Sequence, residues 1–551
     1  MAAPGMTPRR GVLRLRRALA RILRRGRERR PVSYADWFAR NAPRASELLE
    51  QRRLADALEA QPAFDIVVVR RPGDDAAAAE TRSSLAEQTY GRFTVHESSD
   101  GSAAALNRAA AQGDGDLLVF VDPGDRLAPH ALFAIAARYV PTAGLLYSDE
   151  DVFRDSVHQR PFFKPAWSPD ALLSHDFVGG VAAVRRDLFR AAGGFREMEG
   201  AERHDLLLRL LPRLDGVEHV PHVLLHRSEP RVDPSEGRRR AIADHVHRTL
   251  GEEYRVAGSG PPAIRFQPRT PAAVTIVIPT RDRADLLQAC IESLDRNRCA
   301  AHAEVVVVDN ASVEAATHDY LRKLEARRAT KVLRYPHAFN WSKVNNFAAR
   351  QSGGDYLLFL NNDIEALDPG WLDAMLAFAS QPAIGAVGAQ LLYPDGTIQH
   401  TGVVLGLTGY AGHALAGRRP EEPTPYGPPD MIRDCTAVTG ACMMVRRSLF
   451  EELSGFDERF ILCGSDLELC LRMRARGLRN VVTPHARLLH HESKTRGTDI
   501  PRSDFQRSFV AYEPYLRAGD PYYNPNLSLT APSVELKDGP EDMLSYARSF
   551  L

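Results

Sequence analysis

The chain has 551 residues, too many for one hydrophobic core, so two or three domains are expected. Hydrophobic residues at 44% and charged residues at 26% fit soluble globular protein, and there is no run of about 18 apolar residues able to span a bilayer. The formal charge of +1 hides an uneven distribution: residues 1–30 hold eleven Arg against one acid, Glu28. The remainder is therefore net acidic, which excludes general nucleic-acid binding, a task that needs a basic face.

In chain order, residues 1–32 come first. Val12, Leu15, Leu19, Ile22 and Leu23 recur at helical spacing among arginines. Two readings stand: a basic amphipathic helix lying on an anionic membrane surface, or a disordered basic tail. No secretory signal is recognisable, so a cytoplasmic location with reduced thiols is expected, with peripheral contact to the inner face of the membrane under the first reading. The six cysteines (290, 299, 435, 442, 463 and 470) form no CxxC pair, which argues against structural zinc.

Residues 33–256 alternate strand and helix signals. Ile66-Val-Val-Val69, Phe93-Thr-Val95 and Asp116-Leu-Leu-Val-Phe-Val-Asp122 are strand runs, and Leu106-Asn107 lies in a helical stretch. A helical segment, Gly237 to Leu250, closes this part, and the Gly/Pro-rich stretch 257–272 is expected to be a linker. Residues 273–500 then repeat the order. Val274-Thr-Ile-Val-Ile-Pro279 and Glu304-Val-Val-Val-Val-Asp309 lead to a helix containing Asn345 and to Asp355-Tyr-Leu-Leu-Phe-Leu-Asn361-Asn362-Asp363. Asn107 aligns with Asn345, Asp116 with Asp355, Gly194-Phe195 with Gly455-Phe456, and Asp205-to-Arg209 with Glu468-to-Arg472, in the same order, at offsets of 238 and 239 for the first two and 261 and 263 for the last two. The chain thus predicts two copies of one α/β domain with a mostly parallel sheet. Residues 501–551, Pro- and Asn-rich around Asp520-Pro-Tyr-Tyr-Asn-Pro-Asn, are expected to be an extended tail packed on the body.

Ligands of open α/β sheets bind beyond the carboxyl ends of the strands. Three polar groups fall there in the second copy: Thr280 to Asp282, Asp309-Asn310, and Asn361-Asn362-Asp363. Any one of them alone would be an ordinary cap or turn. Asp363 is the metal-ligand candidate, since Mg²⁺ or Mn²⁺ needs only one or two protein carboxylates when substrate phosphates complete its shell. Asp466 and Glu468 open a helical run, where acids are favoured by the dipole and where one of them could equally serve as a general base. His490 and His491 follow a strand and offer a further metal ligand.

At this point the second half resembles the family 2 glycosyltransferases, of the GT-A fold. The resemblance rests on Ile278-Pro279-Thr280, Val308-Asp309-Asn310, Phe339-to-Asn346, Leu360-to-Asp363, Tyr393-to-His400, Gly464-Ser-Asp466-Leu-Glu468, His490-to-Ser493 and Asp520-to-Asn526. The whole chain is similar to bacterial two-domain, rhamnosyltransferase-like members of cell-surface polysaccharide assembly, such as O-antigen or cell-wall synthesis. It implies two tandem GT-A domains, Rossmann-like, the first degenerate. It implies a donor site of Pro279, Thr280, Arg281, Asp309, Asn310, Asn345, Asn361 and Asn362, with Asp309 on the nucleobase or ribose. Asp363 and His490 would hold Mg²⁺ or Mn²⁺, Asp466 would be the catalytic base, and Glu468 and His491 would be secondary site residues. The donor would be a UDP- or dTDP-sugar and the acceptor a glycan or lipid-linked glycan, attacked with inversion.

In the first copy the offsets set Gly124 against Asp363, Arg203 against Asp466, and the region of Glu97-Ser98 against Asp309-Asn310. An arginine cannot act as base, so this copy is expected to be inert, although its acid cluster Tyr147-Ser-Asp-Glu-Asp151 stands unexplained. Two other functions compete: a nucleotidyltransferase, which would release pyrophosphate and usually shows a Gly-rich phosphate loop absent after Pro279, and a non-catalytic glycan-binding or assembly protein.

Overall fold

The computed structural model describes residues 31–229, 235–258, 261–297, 302–491, 500–549 and 551. The basic segment 1–30 lies outside them. Among the described residues no helix is long and apolar enough to cross a membrane.

Each half is built on one mixed sheet. In the second, the runs Ala273–Thr280, His302–Asp309 and Tyr356–Leu360 pair in parallel, and Thr330–Arg334 extends the edge beside His302–Asp309. The Val/Ile-rich middle of Ala273–Thr280 is buried on both faces, as a parallel strand covered by helices must be. The sheet continues through Cys442–Arg446, Ile384–Leu392, Arg479–His490 and Ile364–Ala366, with the first and last of these antiparallel to their neighbours.

The first half repeats that arrangement. Its order is Phe93–Glu97, Phe64–Val68, Leu117–Val121, Ala182–Arg185, Leu145–Arg154, Val217–Arg227, Arg126–Leu127. Every pairing has the direction of its counterpart. The fold is thus α/β with two tandem sheets of one topology.

The duplication reaches individual hydrogen bonds. Arg186 donates to the carbonyls of Gly115 and Ala110, and Arg447 donates to those of Gly354 and Ala349. Asn107 clasps both the N–H and the carbonyl of Phe195, and Asn346 does the same to Phe456. The counterpart of Asn107 is therefore Asn346 and not Asn345, a one-residue correction to the sequence alignment. Arg209 is held by Asp205 and donates to the carbonyls of Ala192 and Gly194; Arg472 is held by Glu468 and donates to those of Leu453 and Gly455. Such clasps satisfy buried carbonyls where one turn meets the next.

The two halves share one apolar cluster that includes Leu172, Phe177 and Ile242 from the first and Trp371, Met431 and Ile432 from the second. Arg479 joins them, its Nε 2.6 Å from Asp170 Oδ2 and 3.4 Å from Asp434 Oδ1. Burial and the neighbouring Asp170 hold the Asp434 carboxyl well above the usual range. The expected linker is more ordered than its composition indicated: Ala263–Phe266 pairs antiparallel with Tyr254–Ala257, and Ile264 is buried. The tail also differs from an extended strap. Arg502–Ala518 is helical with Pro514 inside it, and only afterwards does Asn524 reach across to Asp149 Oδ2 at 2.8 Å.

Candidate functional site

The second sheet gathers its polar residues at the carboxyl ends of its parallel strands. Thr280 and Asp309 are ladder partners at that edge, and both are buried. Burial works against the charge on Asp309, but the Ser312 N–H and hydroxyl and the Arg334 guanidinium, 2.9 Å from Oδ2, outweigh it and hold its pKa below the ordinary carboxylate value. Asn310 spends its amide on the carbonyls of Tyr335 and His337, at 3.0 and 2.8 Å, so it fixes the neighbouring loop. Pro279 is half-buried on the strand, and Arg281 is exposed just past it. Asp282 and Arg283 follow with φ of 54° and 55°.

The next strand ends in Asn361-Asn362-Asp363. Asn362 donates to Thr280 Oγ1 at 3.0 Å, which ties the two strand ends together. Asp363 is 5% exposed, and its Oδ1 lies 3.3 Å from His490 Nε2. The ladder explains the contact, because Ile364 pairs with His490. His490 Nδ1 meets Gln399 Oε1 at 2.5 Å. An amide oxygen accepts, so the Nδ1 proton is fixed there and Nε2 is turned to the Asp363 carboxylate. Two acceptors so close require a shared proton or cation. His491 is turned elsewhere: its Nε2 lies 2.7 Å from Glu365, since successive residues of a strand point to opposite faces. Of the two histidines only His490 faces Asp363. Gln399 belongs to the quoted Tyr393-to-His400 motif, but nothing in that local pattern marks it as the partner of a residue so distant in sequence.

Asp466 sits half-buried at the start of the helix Ser465–Ala475. Its Oδ2 accepts the Gly440 N–H at 2.8 Å and its Oδ1 the Leu467 N–H at 3.0 Å. Burial raises its pKa above the ordinary value, opposed by these backbone donors. Gly440 has no room for a side chain: a Cβ would lie 2.6 Å from the Trp341 ring. The next residue, Ala441, accepts the Asn361 N–H at 2.9 Å, and Leu360 pairs with Cys442. Asp363 and the Gly440 turn that holds Asp466 therefore lie at the same end of adjacent strands.

Two expected site residues are used differently. Asn345 has 0% exposure and donates to Trp341 O within its own helix at 2.8 Å, which leaves it no surface for a donor sugar. Glu468 holds Arg472, as Asp205 holds Arg209 in the first half, so its place is structural.

Among its described residues the first half has no equivalent site. Arg126 pairs with His226 as Ile364 pairs with His490, so the counterpart of Asp363 is Asp125, one residue beyond the Gly124 that simple offset selects. Asp125 is capped by the Ser228 N–H at 3.0 Å and approached by Arg227 at 3.7 Å, while burial pushes its pKa up to about 6. Arg203, in the place of Asp466, is ion-paired to Asp122 at 2.8 Å.

Residues 275–454 match the model of the family described as Glycosyl transferase family 2. The chain is 42% identical over 481 residues to "O-antigen biosynthesis protein RfbC" of Myxococcus xanthus, covering 84% of this chain and 38% of that protein. It is 33% identical over 153 residues to "N-acetylglucosaminyl-diphospho-decaprenol L-rhamnosyltransferase" of Mycobacterium tuberculosis, covering 26% of this chain and 50% of that one. The chain spans about half or less of the length of these curated relatives. Among solved structures, the mannosyltransferase PcManGT from Pyrobaculum calidifontis, in complex with GDP-Man and Mn²⁺, aligns at 16% identity over 56% of this chain and 80% of its own, with a TM-score of 0.33. Residues 275–454 of this chain thus match a family 2 glycosyltransferase domain.

Proposed function

We propose that the second half transfers a sugar from a UDP- or dTDP-sugar to a hydroxyl of a glycan or lipid-linked acceptor, with inversion, in the synthesis of cell-surface polysaccharide. The observation that carries this reading is the shared strand end: the Asp363–His490 pair at 3.3 Å lies on the loop whose Asn361 is bonded to Ala441, next to the Gly440 that holds Asp466. The oxygen and imidazole donors of Asp363 and His490 suit Mg²⁺ or Mn²⁺, with phosphate oxygens and water completing the shell. Such a cation, when bound, stabilises charge on the departing nucleoside diphosphate.

This chain's own groups do the rest. Asp309, kept ionised, is placed to accept from the ribose or base of the donor, and Thr280, Arg281 and Asn361-Asn362 line the same edge. Asp466 takes the acceptor proton. Its two backbone donors fix the carboxylate, and its raised pKa makes it a stronger base than an exposed Asp. The acceptor oxygen attacks the anomeric carbon from the face opposite the leaving group, in one displacement. The first half serves as scaffold, and residues 1–32 offer a contact to an anionic membrane.

The test is a screen of nucleotide sugars with the purified chain for metal-dependent hydrolysis. Nucleoside diphosphate release abolished by EDTA is expected. Pyrophosphate release, or turnover indifferent to EDTA, overturns the reading.

A further inference from the structure

The first half has lost the Asp363-type pair, but its histidine at that ladder position has not become idle. His226 Nδ1 lies 2.7 Å from Asp151 Oδ1, and His158 Nδ1 lies 2.8 Å from the other oxygen of the same carboxylate. A nitrogen of each histidine and an oxygen of Asp151 fall within 4.8 Å of one another, the one such group of three among the described residues. The carboxylate is wholly buried, and Tyr34 donates its hydroxyl to Oδ2 at 2.7 Å. Phe38 stacks on His158 with ring centroids 3.7 Å apart and meets His226 edge-on, which fixes both ring planes.

Both imidazoles line a cavity of about 590 Å³ shared with Phe153 and two further histidines, His130 and His222. His130 is only 8% exposed, yet its Nδ1 has no hydrogen-bond partner. Buried polar atoms are rarely left so.

We propose that Asp151, His158 and His226 form a transition-metal site, of the Zn²⁺ class, with a coordination position open to this cavity. Two imidazoles and one carboxylate are a donor set that zinc accepts with bonds of about 2.0–2.2 Å, and a fourth position left to solvent or ligand is usual for an open site. Inserting the ion replaces the two nitrogen–oxygen contacts. Asp125 is not part of this cluster: Ser228 caps its Oδ1, and Arg227 lies 3.7 Å from its Oδ2. The site is separate from Asp363 and does not rest on the transferase reading.

The experiment uses the full chain carrying Asp363→Ala, so that the Asp363 site is removed. Titration with Co²⁺, followed by its visible d–d absorption and competed by Zn²⁺, should give one equivalent bound. Adding His158→Gln, a partly exposed position, should weaken binding by more than the 10–100-fold that loss of even an outer partner costs. His226→Gln is the second variant, and a circular-dichroism melt confirms that each is folded. No saturable Co²⁺ binding by folded Asp363→Ala protein overturns the proposal, as does unchanged affinity in both histidine variants.

Discussion

The two halves share a strand order and three side-chain clasps, yet they differ in how their candidate chemical groups are paired. Arg186 and Arg447, Asn107 and Asn346, and Arg209 and Arg472 make matching bonds. By contrast, Asp466 faces Gly440 in the second half, whereas Arg203 in its place is locked to Asp122. The difference teaches that the residues holding this fold and those performing the proposed transfer are separable. A domain can lose the second set while the first keeps its sheet intact. Matched pairs such as Glu468 and Asp205 are consequently better read as framework than as site.

The comparison is broken most sharply at Asp466. Asp466→Asn keeps the shape and removes the base, so kcat should fall by about 10²–10⁴-fold with donor affinity little changed. The acid limb of kcat/KM in the parent should lie above the ordinary Asp value, because burial raises this pKa and only the deprotonated form accepts a proton. A variant retaining most turnover would place the base elsewhere.

Next in size is Asp363→Ala. Loss of a metal's charge stabilisation amounts to several kcal/mol, so turnover should drop by about 10²-fold or more and no longer respond to Mn²⁺. Gly440→Ala should follow. The added methyl meets the Trp341 ring, at an expected cost of about 1–3 kcal/mol in unfolding free energy by denaturant titration, together with reduced turnover as the Asp466 N–H donor shifts.

The smallest effect is expected on the other side of the comparison. Asp122→Ala breaks the ion pair with Arg203 and should lower stability by about 1 kcal/mol while leaving transfer unchanged. Burial opposes the Asp122 charge, but Arg203, Arg227 and Arg71 together hold its pKa below the unfolded value. The stability difference should therefore be present at neutral pH and fade as pH falls through that depressed pKa. Loss of transfer activity in this variant would mean that the first half takes part in the chemistry.

What the sequence determined by itself was the repeat, the α/β class and the strand ends at Thr280, Asp309 and Asp363. These are local signals: an apolar run between polar punctuation is written in consecutive residues. Only the tertiary structure decided between neighbours. It chose Asn346 over Asn345 for the Phe456 clasp, His490 over His491 for Asp363, and Asp125 over Gly124 as that acid's counterpart. It also brought His158 and His226 onto Asp151 and ordered Ala263–Phe266 as a strand. The physical reason is that a shift of one residue turns a side chain to another face, and the partner that fixes its direction lies on a strand or loop distant in the chain.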